Sequence, residues 1–532
     1  MAIAGVTGAL LFFFATYLLR FDRVVGMFGD DAWYALLAKG LATGQGYALI
    51  NSPSAGIMPI YPPAFPSLLS LAYRLSPQFP QNLWLLKSVS IAAMLGVGVA
   101  TYIYFKSERK LSPHLALGIA AATALNPAFV FLATSSVMSE CVFTLGLTLT
   151  VLVIERGVRA EGSRLYWHIA IGGALASFTF LTRSLGIGLI LAVAAYLLKE
   201  RLIRAAVIFA VVVGLLAGSW TLYAWKRAPT PEQRNEQNSY IVQSYTSQFA
   251  KDDPALLKQP SFLGNLLGRS LNNYARTLEY NIGALVAYPL YRAAEPLAAK
   301  PREYWSALLS LLLSLIVITG FVEALRERVT LAELSALFSV MVVVAWAFAS
   351  FRFVLPLLPF GIFYFLLGLR AICRMSQRLF GAPRARAQRA VLLSAVALTI
   401  ASNTYANVAY GLSLRGPATE RPAWLRSFEE NVTLIQWIGE HIPKEDALAC
   451  QNPALVYLYT GHKTVGTLDP AGHWELWKRL GVRYAALTSI RPLKEPNAAQ
   501  KRYRALYTTE NMKLRVLDFG EAATRLPWVD EP

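Results

Sequence analysis

Long apolar blocks separated by short polar breaks fill most of the chain. About 20 consecutive apolar residues cross a bilayer as a helix. By that measure eleven segments read as membrane helices: 2–20, 83–105, 114–133, 137–154, 166–182, 184–198, 203–225, 305–322, 330–349, 352–369 and 389–410. Segment 114–133 carries Asn126-Pro127, and an internal proline breaks a helix. The pattern changes in two places. After the first block, Asp30 and Asp31 head a short amphipathic stretch with Trp33, Leu36, Leu37 and Leu41 at helical spacing. Beyond residue 410 the apolar runs shorten. There 427–441 and 473–480 read as helices, and 447–450, 483–487 and 513–519 as strands.

Composition agrees with a membrane protein. The 532 residues are 55% apolar and 15% charged, against about 25% charged in soluble chains. The predicted fold is an all-α polytopic membrane domain of about 11 transmembrane helices with a small C-terminal extracytoplasmic α/β domain. A closed barrel would need short alternating strands, which are lacking. We divide the chain at 410: residues 1–410 form the membrane part, with outer loops 21–82 and 226–304, and 411–532 form the α/β domain.

The net charge is +18. In a soluble protein this would suggest nucleic acid. Here seventeen Lys and Arg, from Lys106 to Arg389, fall in one alternating set of loops, while the opposing short turns hold only Arg183 and Arg352. Topology therefore accounts for the charge, with no nucleic-acid partner, the N-terminus cytoplasmic and the C-terminus outside. Segment 2–20 lacks a basic leader and a cleavage site and reads as a retained helix in the cell inner (plasma) membrane. Cys141, Cys373 and Cys450 suggest neither a disulfide framework nor a zinc site.

This topology brings four parts of the chain with ionisable groups to one membrane depth outside: Asp30 and Asp31, Glu140, Arg183 and Arg352. Each has an ordinary explanation. Asp30 and Glu140 stand where a carboxylate favours a helix N-terminus, and a single arginine can snorkel to water. Jointly they suit chemistry. Guanidinium pairs bidentately with phosphate, and a carboxylate beside it can serve as general base. No Gly-x4-Gly-Lys-Ser/Thr or Gly-x-Gly-x-x-Gly motif supports cytosolic nucleotide chemistry. The histidines are scattered, and His462 and His473 read as surface residues.

The order of these features resembles the GT-C integral-membrane glycosyltransferases, specifically the bacterial dolichyl-phosphate-mannose-protein mannosyltransferase and aminoarabinose transferase superfamily. The residues carrying the likeness are Gly29-Asp30-Asp31-Ala32-Trp33-Tyr34, Tyr61-Pro62-Pro63-Ala64-Phe65-Pro66, Asn126-Pro127, Ser139-Glu140, Thr182-Arg183 and Arg352-Phe353-Val354-Leu355-Pro356-Leu357-Leu358-Pro359, with 457–463 in the tail. The resemblance implies inverting transfer of a sugar from a polyprenyl-phosphate donor to a protein, lipid or glycan acceptor. Asp30 is then the general base and Asp31 stands where relatives often carry Glu; both are catalytic candidates. Arg183 and Arg352 become contacts to the donor phosphate, with Glu140 and Tyr61 as further substrate-binding candidates. The acid-free stretch 48–64 supports no metal, and no cofactor is expected. Two alternatives remain: a transporter or flippase of a lipid-linked glycan, which the lack of an internal repeat disfavours, and a non-catalytic scaffold for envelope assembly.

Overall fold

The computed structural model describes residues 2–26, 28–250, 262–294, 302–346, 351–380, 385–417, 421–466, 470–489, 493 and 503–519. Each of the eleven apolar segments coincides with a helix or a bent pair of helices. Seven of these are long and apolar enough to cross a membrane: Leu83–Ser107, Glu140–Val158, Ser163–Thr182, Ile203–Lys226, Trp305–Glu327, Phe351–Arg378 and Arg386–Ser413. The segment with Asn126-Pro127 is the bent pair Pro113–Ala124 and Pro127–Thr134, turned by 50°. Counted as one span, it makes eight. Asn126 makes the break an ordered one, because its side chain caps the second piece through the Ala128 N–H at 3.0 Å. Thr7–Arg20, Ser184–Lys199 and Leu331–Ala345 are shorter apolar helices.

Large apolar side chains stay exposed on these helices, among them Val207, Leu215, Leu222, Leu312 and Leu398. Lipid is the natural solvent for such faces, so little hydrophobic force drives helix against helix, and close packing takes its place. One contact shows this. A Cβ on Gly320 would lie 1.7 Å from the Tyr364 carbonyl oxygen, and one on Gly368 would lie 1.9 Å from that of Ile316. The two helices touch backbone to backbone at mutual glycines.

The tail carries a five-stranded sheet: β1 (Ala447–Cys450), β2 (Thr464–Val465), β3 (Val482–Leu487), β4 (Arg504–Thr508) and β5 (Arg515–Asp518), in the order β2-β1-β3-β5-β4. β1 runs parallel to β2 and β3, and β5 antiparallel to β3 and β4. Helices Ala423–His441, Pro453–Thr460 and Pro470–Arg479 accompany it. The sequence reading lacked β2, β4 and helix Pro453–Thr460. His462, expected at the surface, is fully buried and its Nε2 lies 3.1 Å from the Ile442 carbonyl. The side chain of His473 lies outside the described residues.

The tail docks onto the two outer loops. The Thr464 N–H donates to the Asn51 carbonyl at 2.8 Å and the Gly466 N–H to that of Glu236 at 3.1 Å. Asn51 Nδ2 donates to Gln237 Oε1 at 3.1 Å, and the Ile60 N–H to the Ile241 carbonyl at 2.7 Å. Gly26, at φ +87°, lets Leu455 approach to 2.4 Å from where a Cβ would stand. One buried apolar cluster consequently runs from the membrane helices through Trp33 and Leu36 to Leu455, Ile435 and Leu448.

Candidate functional site

Asp30 opens helix Asp30–Ala42, and Gly29 before it provides the turn at φ +76° with no side-chain cap. The Asp30 carboxylate does not bond to backbone. It accepts from Tyr61 Oη at 2.6 Å, from Tyr240 Oη, and from Arg352 Nη2 at 2.5 Å. The residue is only 7% exposed. Tyr61 comes from the first outer loop, stacked on Tyr34 with ring centroids 4.7 Å apart. Tyr240 comes from the second outer loop, just after helix Pro231–Gln237, which a Thr230/Gln233 capping box starts.

Glu140 opens helix Glu140–Val158 and is fully buried. Its Oε1 lies 2.9 Å from Arg183 Nη1 and 3.8 Å from Arg352 Nε, yet neither of its oxygens has a well-directed hydrogen bond. Arg183 donates instead to Ser139 Oγ at 3.0 Å, which lies 3.0 Å from Tyr34 Oη. Arg183 sits in extended backbone where helix Ser163–Thr182 ends, and Arg352 in the turn Phe351–Val354. Phe353 lies between them, its centroid 5.5 Å from the Arg183 guanidinium and 5.4 Å from that of Arg352.

Five of the six sequence candidates thus meet in one cluster: Asp30, Tyr61, Glu140, Arg183 and Arg352. Asp31 points away from it. Its carboxylate accepts the N–H groups of Gly26 at 2.7 Å, Phe28 at 3.3 Å and Ala32 at 3.1 Å, and so fixes the loop in front of the helix. Sequence reasoning missed Tyr34, Ser139 and Tyr240. Tyr34 was within reach, since it is four residues after Asp30 and shares its helix face. Tyr240 stands in an irregular polar stretch with no periodic signal.

The neighbouring acids titrate apart. Burial raises the Asp30 carboxyl, but Arg352 and the hydroxyls of Tyr240 and Tyr61 together outweigh it and hold the group below its ordinary value. Burial dominates at Asp31; with the nearby Asp30 charge it outweighs the three backbone donors and pushes that carboxyl up to about 6. Two carboxylates and two guanidiniums leave the cluster neutral but rich in donors, because each guanidinium carries five N–H groups. Arg352 is 31% exposed at its side chain and can offer donors outward. Such an arrangement can accept an anion beside a carboxylate. It does not suit a divalent cation: Arg352 and Arg183 stand against the two acids, and both Asp30 oxygens are engaged. Among the described residues no three His, Cys, Asp or Glu side chains come together.

A cavity of about 470 Å³ opens beside the cluster and shares Gly29 and Tyr240 with it. The first loop, the second loop and the tail each form part of its wall, the tail through Asn431, Gln451–Pro453, Leu455, Gly466, Thr488 and Ser489.

The whole architecture has counterparts among solved structures. ArnT from Cupriavidus metallidurans bound to undecaprenyl phosphate superposes with a TM-score of 0.55 at 14% identity, over 98% of this chain and 99% of that one. The apo Archaeoglobus fulgidus oligosaccharyltransferase gives 0.57 at 12% identity, over 91% and 69%. The archaeal oligosaccharyltransferase AglB from the same organism, in complex with an inhibitory peptide and a dolichol-phosphate, gives 0.54 at 12%, over the same shares. These are GT-C glycosyltransferases, and the chain shares their fold over nearly its whole length. No family model and no curated protein sequence matches the chain.

Proposed function

We propose, starting from this GT-C fold, that the protein is an inner-membrane glycosyltransferase. It moves a sugar from a polyprenyl-phosphate donor to an acceptor on the extracytoplasmic face, with inversion. Residues 1–410 form the catalytic part and 411–532 a domain that helps form the acceptor side. The N-terminus is cytoplasmic, the C-terminus is outside, and the chain crosses the membrane eleven times. The observation that carries the reading is Arg352, which bonds Asp30 and reaches toward Glu140 while part of its side chain stays exposed. Two of the similar structures contain a polyprenyl phosphate, undecaprenyl or dolichol.

The geometry supports a donor-triggered base. In the resting cluster Arg352 neutralises Asp30 and weakens it as a base. A donor phosphate competes for the same guanidinium. Once Arg352 turns to it, burial is the main influence left on Asp30, and its basicity rises. Asp30 then takes the proton of the acceptor nucleophile as the nucleophile attacks the anomeric carbon. The bond from that carbon to the phosphate oxygen breaks, and polyprenyl phosphate leaves with its charge held by Arg183 and Arg352. Asp31 supports this by fixing the loop rather than by touching substrate.

The test is direct. Purified protein supplied with a polyprenyl-phosphate sugar and acceptor releases polyprenyl phosphate. Asp30→Asn lowers that release by about 10³-fold while still unfolding cooperatively as a folded protein. Full turnover in Asp30→Asn overturns the assignment of the base. Movement of intact donor across a vesicle bilayer without its consumption favours a flippase.

A further inference from the structure

We infer that the cavity beside Asp30 is a binding subsite for a neutral, polyhydroxylated ligand, a carbohydrate, and that the acceptor is therefore a glycan. The inference rests on the proposed transferase reading and names the acceptor class that reading leaves open.

The wall chemistry carries the argument. Among the described residues, the cavity is lined by amides, hydroxyls, glycines and a few apolar groups, with no Asp, Glu, Lys, Arg or His. The cluster next door holds two arginines and two buried acids. The change is abrupt: charge ends at Tyr240, which touches both spaces. Among the described lining residues a phosphorylated or otherwise anionic acceptor finds no counter-charge, and burying it unpaired is costly.

Exposed polar groups stand in the same wall. Asn238 and Gln451 present exposed carboxamides. Hydroxyls and carboxamides both donate and accept, which matches the vicinal hydroxyls of a sugar ring. The Tyr240 ring, 37% exposed, offers an apolar face beside its polar tip. The volume, about 470 Å³, lies within the range of small-molecule pockets.

A peptide is disfavoured by the backbone. Extended peptides dock by adding a strand to a free sheet edge. The edge next to this cavity is β2, and its Thr464 N–H is already given to Asn51.

The test uses the full chain in lipid nanodiscs and a neutral pentasaccharide, with binding followed by saturation-transfer NMR. The expected result is saturable binding that weakens about tenfold in Gln451→Ala and again in Asn238→Gly, the size expected for one lost hydrogen bond to a ligand hydroxyl. Both side chains are exposed, and glycine accepts the positive φ of Asn238, so both variants keep the fold. Absence of saturable binding overturns the inference, as does binding that neither variant weakens. Stronger binding of a neutral peptide or a phosphorylated glycolipid at the same residues also overturns it. Binding of polyprenyl phosphate is measured in parallel. Its loss in the wild type counts against the transferase reading, whereas loss of saccharide binding alone counts only against the glycan acceptor.

Discussion

Helix Glu140–Val158 carries a buried charge network at each end, and the two are built to different standards. Glu140 and Glu155 stand about 22 Å apart by helical rise. At the Glu155 end the network closes around Glu333, whose carboxylate accepts from the Thr330 N–H at 2.9 Å, Thr330 Oγ1 at 2.5 Å, Arg109 Nη2 at 2.5 Å and Tyr364 Oη at 3.1 Å. Arg109 also donates to Tyr104 and Thr330. At the Glu140 end both carboxylate oxygens lack a directed bond, Arg352 is part exposed, and a cavity lies beyond Tyr240, which bonds Asp30. Glu333 is fully engaged and acts as a staple between helices, although Glu155 Oε2 beside it has no directed bond. The under-saturated network at the Glu140 end keeps donors and acceptors in reserve. The same residue types, arginine with glutamate or aspartate, thus serve opposite purposes according to how completely they are paired.

The strongest way to break this contrast is to neutralise one acid in each network. Asp30→Asn should lose about 10³-fold in sugar transfer and less stability than the second variant, because its partner Arg352 is part exposed. Glu333→Gln should do the reverse: it should lose about 3 to 5 kcal/mol of stability by leaving Arg109 unpaired, seen as a lower unfolding temperature, with turnover per folded molecule unchanged. If both variants behave alike, the distinction fails. Next in size is Arg352→Lys, which keeps the charge but loses the planar fork. It should lower kcat about 10²-fold, measured at saturating donor and acceptor.

A pH profile sharpens the comparison further. Asp30 has a lowered pKa in the resting protein, so it stays ionised down through the ordinary carboxylate range. The acid limb of kcat/KM, which reports the free enzyme, should fall below about pH 4. The limb of kcat, which reports the loaded enzyme, should lie at least about one unit higher, because donor phosphate takes Arg352 away and burial raises the carboxyl. Coincident limbs would remove the trigger. The smallest effect belongs to Tyr240→Phe. It deletes one of three donors to Asp30 and should change kcat by about tenfold at most, while its remaining ring keeps saccharide binding within reach of the wild type.

Much of this was legible in the sequence, for reasons that differ by region. Membrane helices announce themselves because lipid demands long apolar runs, and the Asn126-Pro127 break is written in the proline. Asp30, Glu140, Arg183 and Arg352 stood out because charge is scarce at that depth; their convergence needed the fold. Tyr240 was silent, since a hydroxyl in an irregular loop carries no period and its value comes from a partner 210 positions away. The two-residue β2 and the half-exposed β4 were missed because neither shows an apolar alternation of its own. Asp31 and Asp30 look equivalent in sequence. Only the loop at Gly26 and Phe28 separates a carboxylate that holds backbone from one that faces the cluster.

The hydrogen bonds from Thr464 and Gly466 to the outer loops bear on the order in which the molecule is made. Synthesis runs from the N-terminus, and early segments fold first. Asp30, Glu140, Arg183 and Arg352 are therefore in place while the walls supplied by Asn431, Gln451, Thr488 and Ser489 do not yet exist. The cavity comes into being only when the last stretches of the chain arrive and latch onto Asn51 and Glu236. A nascent copy is a cluster of charges without a chamber, and completion of the polypeptide is what encloses it.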